Sequence, residues 1–199
     1  MTMKLNRITA GITASLAVTG LLLLAGCAGT PQAPKRSGFL YNYSNLKKVD
    51  DTTWRYVNTN RLALYSKFVI APVKITVTEF EGKPLTAEQK DKAAAYIRES
   101  LTKAIESKGY KVVPSGYGDV AEVRTAITDI YKSGSQLGLT VEGSIVDNAS
   151  AYQAAAVMKT ELAPAQLGSW WDGERARGII DSWSARMAEA IVMAHTNAK

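Results

Sequence analysis

The chain has one cysteine and one histidine among 199 residues, and its charge excess is too small to imply nucleic acid as a partner. A single cysteine cannot close an internal disulfide. The lone histidine, His195, stands four residues from the end of the sequence, where helices fray, and is a poor foundation for a Ser-His-Asp triad. The glycine-containing stretches "SGYGD" (115–119) and "SGSQLG" (133–138) lack the Lys-Ser/Thr ending of a phosphate-binding loop and read as plain loops. Asp50-Asp51 and Asp147-Asn148 lack the alternating ligand pattern of a calcium loop and read as turn formers. Nothing in the sequence marks a carboxylate pair of the glycosidase type, although such pairs meet in space and not along the chain.

What is present is an ordinary globular mixture, with 46% hydrophobic and 21% charged residues, enough for one domain with a sizeable core. It follows an N-terminal segment of three parts. Lys4 and Arg7 give a positive start, Ile8 to Leu24 form an apolar stretch, and Leu24-Ala25-Gly26 lead into Cys27. That layout is expected of a secretory signal peptide spanning residues 1–26. The apolar run falls slightly short of the roughly 20 residues of a membrane span, so an uncleaved anchor is the lesser reading. Setting Lys4 and Arg7 aside lowers the formal charge from +6 to an excess of four.

Leu24-Ala25-Gly26-Cys27 resembles the lipobox of bacterial lipoproteins at all four positions. The resemblance implies diacylglycerol on the Cys27 sulfur, cleavage before Cys27, and acylation of the new amino group. Several buried chains anchor stably where one does not, at about 0.8 kcal/mol per CH₂. Lipidation consumes the thiol, and one remaining histidine cannot build a conventional zinc site. Ala28 follows, not the Asp that marks inner-membrane retention in many enteric-type lipoproteins, so the resemblance implies the outer membrane, facing the periplasm. Residues 27–38 then read as a lipidated start and a tether rich in Pro, Gly and small polar residues, reaching roughly 36 Å when extended.

Residues 39–199 read as a single α+β domain. Residues 28–110 carry a basic excess of six and residues 111–199 an acidic excess of two. Residues 39–66 show no sustained period and read as an irregular lead-in packed by Phe39, Leu40, Tyr43, Leu46, Trp54 and Tyr56. Residues 67–78 alternate as one strand, with Val69, Ala71, Val73, Ile75 and Val77 on one face and a bulge or exposed edge at Pro72. Thr86 and Gln89 stand at capping-box spacing, Ala93, Ile97, Leu101 and Ile105 form a stripe, and Gly109 follows; the expectation is a helix over 87–108. A short strand "YKVVP", a strand over 120–131 and a β-hairpin over 137–162 with its turn at 147–150 come next. The final helix carries Ile179, Ile180, Trp183, Met187 and Ile191 as its apolar stripe. Arg177 and Asp181 stand four apart, able to pair. The order predicts a mixed or mainly antiparallel sheet of about four to five strands, with two long helices on one face.

The opening "FLYNYSNL", the segment "WRYVNTNRLALYSKFVIAPVKI" and the closing pattern Trp171, Asp172, Ala176, Arg177, Ile180, Asp181 and Trp183 resemble the bacterial lipoprotein family catalogued as domain of unknown function 3313. The resemblance implies fold and location but no activity and no site. Trp170 and Trp171 cannot both face one core from a helix start, so one ring, beside Arg175, is a candidate partner interface. The expectation is therefore a non-enzymatic, lipid-anchored binding or accessory protein, without cofactor, metal or nucleic acid. It would be attached to the membrane through Cys27 and address an unidentified envelope protein. A subunit of a larger envelope or transport complex stands second, and a hydrolase third.

Overall fold

In the computed structural model, the structure describes residues 34–164 and 174–198. The elements in chain order are β1 (Lys47–Lys48), β2 (Thr53–Val57), α1 (Thr59–Leu62), β3 (Lys67–Ile70), β4 (Lys74–Ile75), β5 (Glu79–Phe80) and β6 (Lys83–Pro84). They continue with α2 (Ala87–Ser107), β7 (Lys111–Val112), β8 (Val120–Ser133), β9 (Gln136–Asp147), β10 (Gln153–Pro164) and α3 (Glu174–Asn197). The fold is α+β, with a mixed sheet of eight strands in the order β1-β2-β10-β9-β8-β3-β7 and β4 alongside β8. β5 and β6 form a separate small hairpin.

Helix α2 begins and ends as its sequence dictates. The Thr86 hydroxyl accepts from Gln89 N, and the Gln89 side chain accepts from Thr86 N, so both orphan donors are satisfied. Gly109, at φ +85°, takes the left-handed turn that stops the helix. The buried stripe is Ala93, Ile97, Leu101 and Ile105. It packs with Phe68 and Ile70 of β3, Val123 and Ile127 of β8, and Ile180, Trp183 and Ile191 of α3 in one core. At Gly143 of β9, α3 comes so close that a Cβ would lie 2.6 Å from Trp183 Cζ2 and 3.0 Å from Met187 Cε.

Three local expectations need correction. Residues 67–78 are not one strand: pairing stops after Ile70 and resumes at Lys74, because Pro72 has no amide hydrogen for the ladder. The interruption also shifts the phase, so Phe68 and Ile70 face the core before it, whereas Val73, Ile75 and Val77 pack against it afterwards. The lead-in is partly regular: Thr53–Val57 pairs antiparallel with β10, and Lys47–Lys48 pairs with it in turn. These pieces of two to five residues are too short to show a period, which is why the sheet exceeds the expected strand number. Finally, "SGSQLG" is the tight connection between β8 and β9, whose ladder runs to Ser133↔Gln136.

The second face of the sheet is polar yet buried. Thr140, Glu142 and Ser144 alternate with the core-facing residues of β9, and all three are inaccessible to solvent or nearly so. Thr140 and Thr160, paired across β9 and β10, share a hydrogen bond of 2.7 Å. A strap formed by residues 37–43 satisfies Glu142. Ser37 N donates to Glu142 Oε1 at 3.2 Å, and the Tyr43 hydroxyl donates to Oε2 at 2.5 Å. The same hydroxyl accepts from Gly38 N and Leu40 N, while Gln153 exchanges two hydrogen bonds with the Asn42 backbone.

Candidate functional site

Cys27, Trp170 and Trp171 lie outside the described residues. Arg175 belongs to α3, but its side chain also lies outside the described part. The candidate surfaces among the described residues come from elsewhere in the chain.

The carboxylates with defined partners serve the architecture. Asp147 accepts from the Tyr65 hydroxyl at 2.7 Å and from Ala149 N, Ser150 N and Ser150 Oγ, closing the β9–β10 turn. The Tyr65 hydrogen bond, followed by those from Ser150, draws the Asp147 carboxyl down to about 2. Burial, then the bond to Asp147, pushes the Tyr65 hydroxyl up to about 12. Asp181 of α3 accepts from Tyr96 and Ser100 of α2, both at 2.7 Å, and clasps the two long helices. Arg177, expected to pair with Asp181, lies with its guanidinium 5.3 Å from the Tyr96 ring centre. Asp50 accepts from Thr52 N and Thr52 Oγ1 within its turn. The donors around Asp147 and Asp50 hold both carboxyls below the ordinary range, which makes them poor proton acceptors.

His195 is equally committed. Its Nδ1 is 2.9 Å from the Ile191 carbonyl, and its ring leans on Tyr110 at 5.0 Å between centres. Among the described residues, no three His, Cys, Asp or Glu side chains gather as a metal-binding set.

Two of the concavities among the described residues bear on binding. At the β9–β10 turn, Tyr41, Asn42, Asn45, Arg61, Tyr152 and Gln153 line an open depression of about 510 Å³. Tyr41 is 84% exposed there. The Tyr152 hydroxyl is 3.2 Å from that of Tyr56 and accepts from Asn58 Nδ2, and both contacts lower its proton affinity. Its ring is covered by Arg61 at 5.3 Å.

The second concavity is a recess of about 100 Å³ between α3 and the β2–β10 edge of the sheet. Its walls are apolar: Val57, Ala155, Val157, Trp183, Met187 and Ala190. Its rim is cationic, with Arg55, Lys159 and Arg186. Glu161 pairs with Arg186, and also with Lys159 at 3.3 Å. Burial, then the charge of Arg186, lowers the affinity of Lys159 for its proton. Periodicity named Trp183 and Met187 as core residues but gave no warning of the recess beside them. The cations come from three separate elements that only the sheet order unites.

The family model for a protein of unknown function, DUF3313, matches residues 35–138, just over half of the chain. The chain belongs to that family. The DUF3313 match covers the strap, β1 to β8 and helix α2. No curated protein matches this DUF3313 chain. Solved structures similar to it include the PelC dodecamer from Paraburkholderia phytofirmans, at 12% identity and a TM-score of 0.49, covering 70% of this chain and 96% of that one. A minor lipoprotein from Acinetobacter baumannii is similar at 15% identity and a TM-score of 0.42, over 65% of this chain and 94% of that one. Lipoprotein GNA1162 from Neisseria meningitidis follows at 11% identity and 0.37, over 64% and 99%. Among the described residues of the DUF3313 protein, no helix is long and apolar enough to cross a membrane.

Proposed function

We propose that this DUF3313 protein is a lipoprotein anchored through Cys27 to the periplasmic face of the outer membrane, and that it binds another envelope component without catalysing a reaction. The anchor rests on the Leu24-Ala25-Gly26-Cys27 motif. Among the described residues, hydrogen bonding to the fold begins at Ser37. Only nine residues separate Cys27 from it, so the tether keeps that attachment point within roughly 33 Å of the bilayer. Confinement of that kind raises the effective concentration toward a neighbouring partner.

The observation that carries the binding reading is the recess beside Trp183, apolar within and cationic at its rim, on a molecule whose partnered carboxylates serve as structural acceptors. The test combines fractionation with crosslinking. Wild-type protein should carry lipid, sediment with outer membrane, and crosslink in cells to one reproducible partner. Cys27→Ala should lose lipid and membrane association. Retention of both by that variant would overturn the anchor, and crosslinks scattered among many proteins would overturn the binding role.

A further inference from the structure

We infer that the recess between α3 and the β2–β10 edge receives an aromatic side chain of a partner peptide, with carboxylates flanking that ring held by Arg55, Lys159 and Arg186. This deepens the binding reading above and rests on it, but not on the lipid anchor. Size selects the ring. A cavity of about 150 Å³ holds benzene, and this recess of about 100 Å³ opens to solvent, so one ring can lodge with its edge outside. A long acyl chain would find walls for only a fraction of its length.

The wall chemistry agrees. Trp183 offers an indole and Met187 a thioether, both favourable neighbours for an aromatic ring. Ala155 and Ala190 are small, which leaves the space open.

The rim selects the charge. Thr53 of β2 stands opposite Lys159 of β10, and Arg55 opposite Val157, so these side chains emerge on the α3 side of the sheet. Lys47 of β1 stands opposite Arg55 and adds a fourth cation on that side. The acids facing them are Glu161, which pairs with Lys159 and Arg186, and Asp50, which lies close enough to act on Lys159. Four cations against two acids leave an excess of positive charge around an apolar hole. A carboxylate on either side of an inserted ring would meet exposed Arg55 on one flank and Arg186 on the other. Arginine is suited to that role because its planar fork grips carboxylates in two places.

The experiment is fluorescence polarisation with detergent-solubilised full chain and a labelled pentapeptide amide, acetyl-Glu-Glu-Phe-Glu-Glu. Binding should weaken at least tenfold when the Phe is replaced by Ala, and at least tenfold when the four Glu are replaced by Lys. In the protein, Ala190→Phe should fill the recess and Arg55→Glu should reverse its rim. Each should weaken binding by a similar factor without moving the thermal midpoint by more than a few degrees. Should Ala190→Phe fail to fold, Arg55→Glu alone decides. Equal binding of the Phe and Ala peptides would show charge attraction without a ring site and overturn the proposal. So would displacement of the Phe peptide by phosphatidylglycerol vesicles but not by excess unlabelled peptide, which would make the recess a lipid site. Failure of these measurements with Cys27 still lipidated and crosslinking intact would move the partner surface elsewhere and leave the anchored binding role standing.

Discussion

Tyr43 donates its hydroxyl hydrogen to Glu142 across 2.5 Å, joining the segment ahead of β1 to a carboxylate buried at the centre of the sheet. A buried carboxylate without donors is costly, so this bond and the one from Ser37 N make the strap part of the fold and not an appendage. Tyr43→Phe should remove the donor to Glu142 and leave Gly38 N and Leu40 N without their acceptor. A destabilisation of about 2–4 kcal/mol is expected, read as a lower urea midpoint. Adding Glu142→Gln to Tyr43→Phe should recover part of that loss, since a neutral amide tolerates burial better than a carboxylate left with the Ser37 N donor alone. A variant as stable as wild type would show that the strap contributes nothing.

Asp147 predicts an acid limb. Its carboxyl is held at about 2 in the folded protein against an ordinary value of 3.8, chiefly by the Tyr65 hydroxyl. A depressed carboxylate stabilises the fold above its unfolded pKa, and that contribution disappears as pH falls through the folded value. Stability should therefore decline between about pH 4 and pH 2. Asp147→Asn should be less stable at pH 6 and flatter over the acid range. The shape of the curve decides, and because the group borders solvent the difference should be modest.

Gly143→Ala places a methyl group against Trp183 and Met187, at 2.6 and 3.0 Å. The cost should be about 1–3 kcal/mol, as in overpacked cores generally. Calorimetry should show a lowered midpoint, with the partial rescue falling to Trp183→Phe. A neutral substitution would mean that α3 can lift from β9 without penalty.

Asp181→Ala releases Tyr96 and Ser100 from the clasp between α2 and α3. Two hydrogen bonds to a carboxylate should be worth about 1–3 kcal/mol together, reduced by the solvent that reaches Tyr96. Hydrogen exchange should rise around residues 96–104 and 180–187, while β8 to β10 stay protected. Faster exchange spread evenly over the sheet would count against a local clasp.

Much of the architecture was legible along the chain, wherever a period ran long enough to register. The capping box at Thr86 and Gln89, the stripe through Ile105 and the stop at Gly109 gave α2 almost residue for residue. The stripe Ile179, Ile180, Trp183, Met187 and Ile191 gave the buried face of α3. Elements of two to five residues were not legible. In β1, β2 and β4, pairing with a distant strand sets the conformation. The polar alternation Thr140, Glu142, Ser144 would suit a wet face equally well, yet all three are buried and the strap bonds to Glu142 among them.

The sequence by itself determined the two long helices, the β9–β10 hairpin and the lipobox resemblance at Cys27, because each depends on neighbours within a turn or two of chain. Only the tertiary structure decided which strands lie side by side, that Tyr43 reaches Glu142 ninety-nine residues away, and that Arg55, Lys159 and Arg186 surround one apolar recess. Those relationships rest on contacts between remote segments, and no local period encodes which remote segment will arrive.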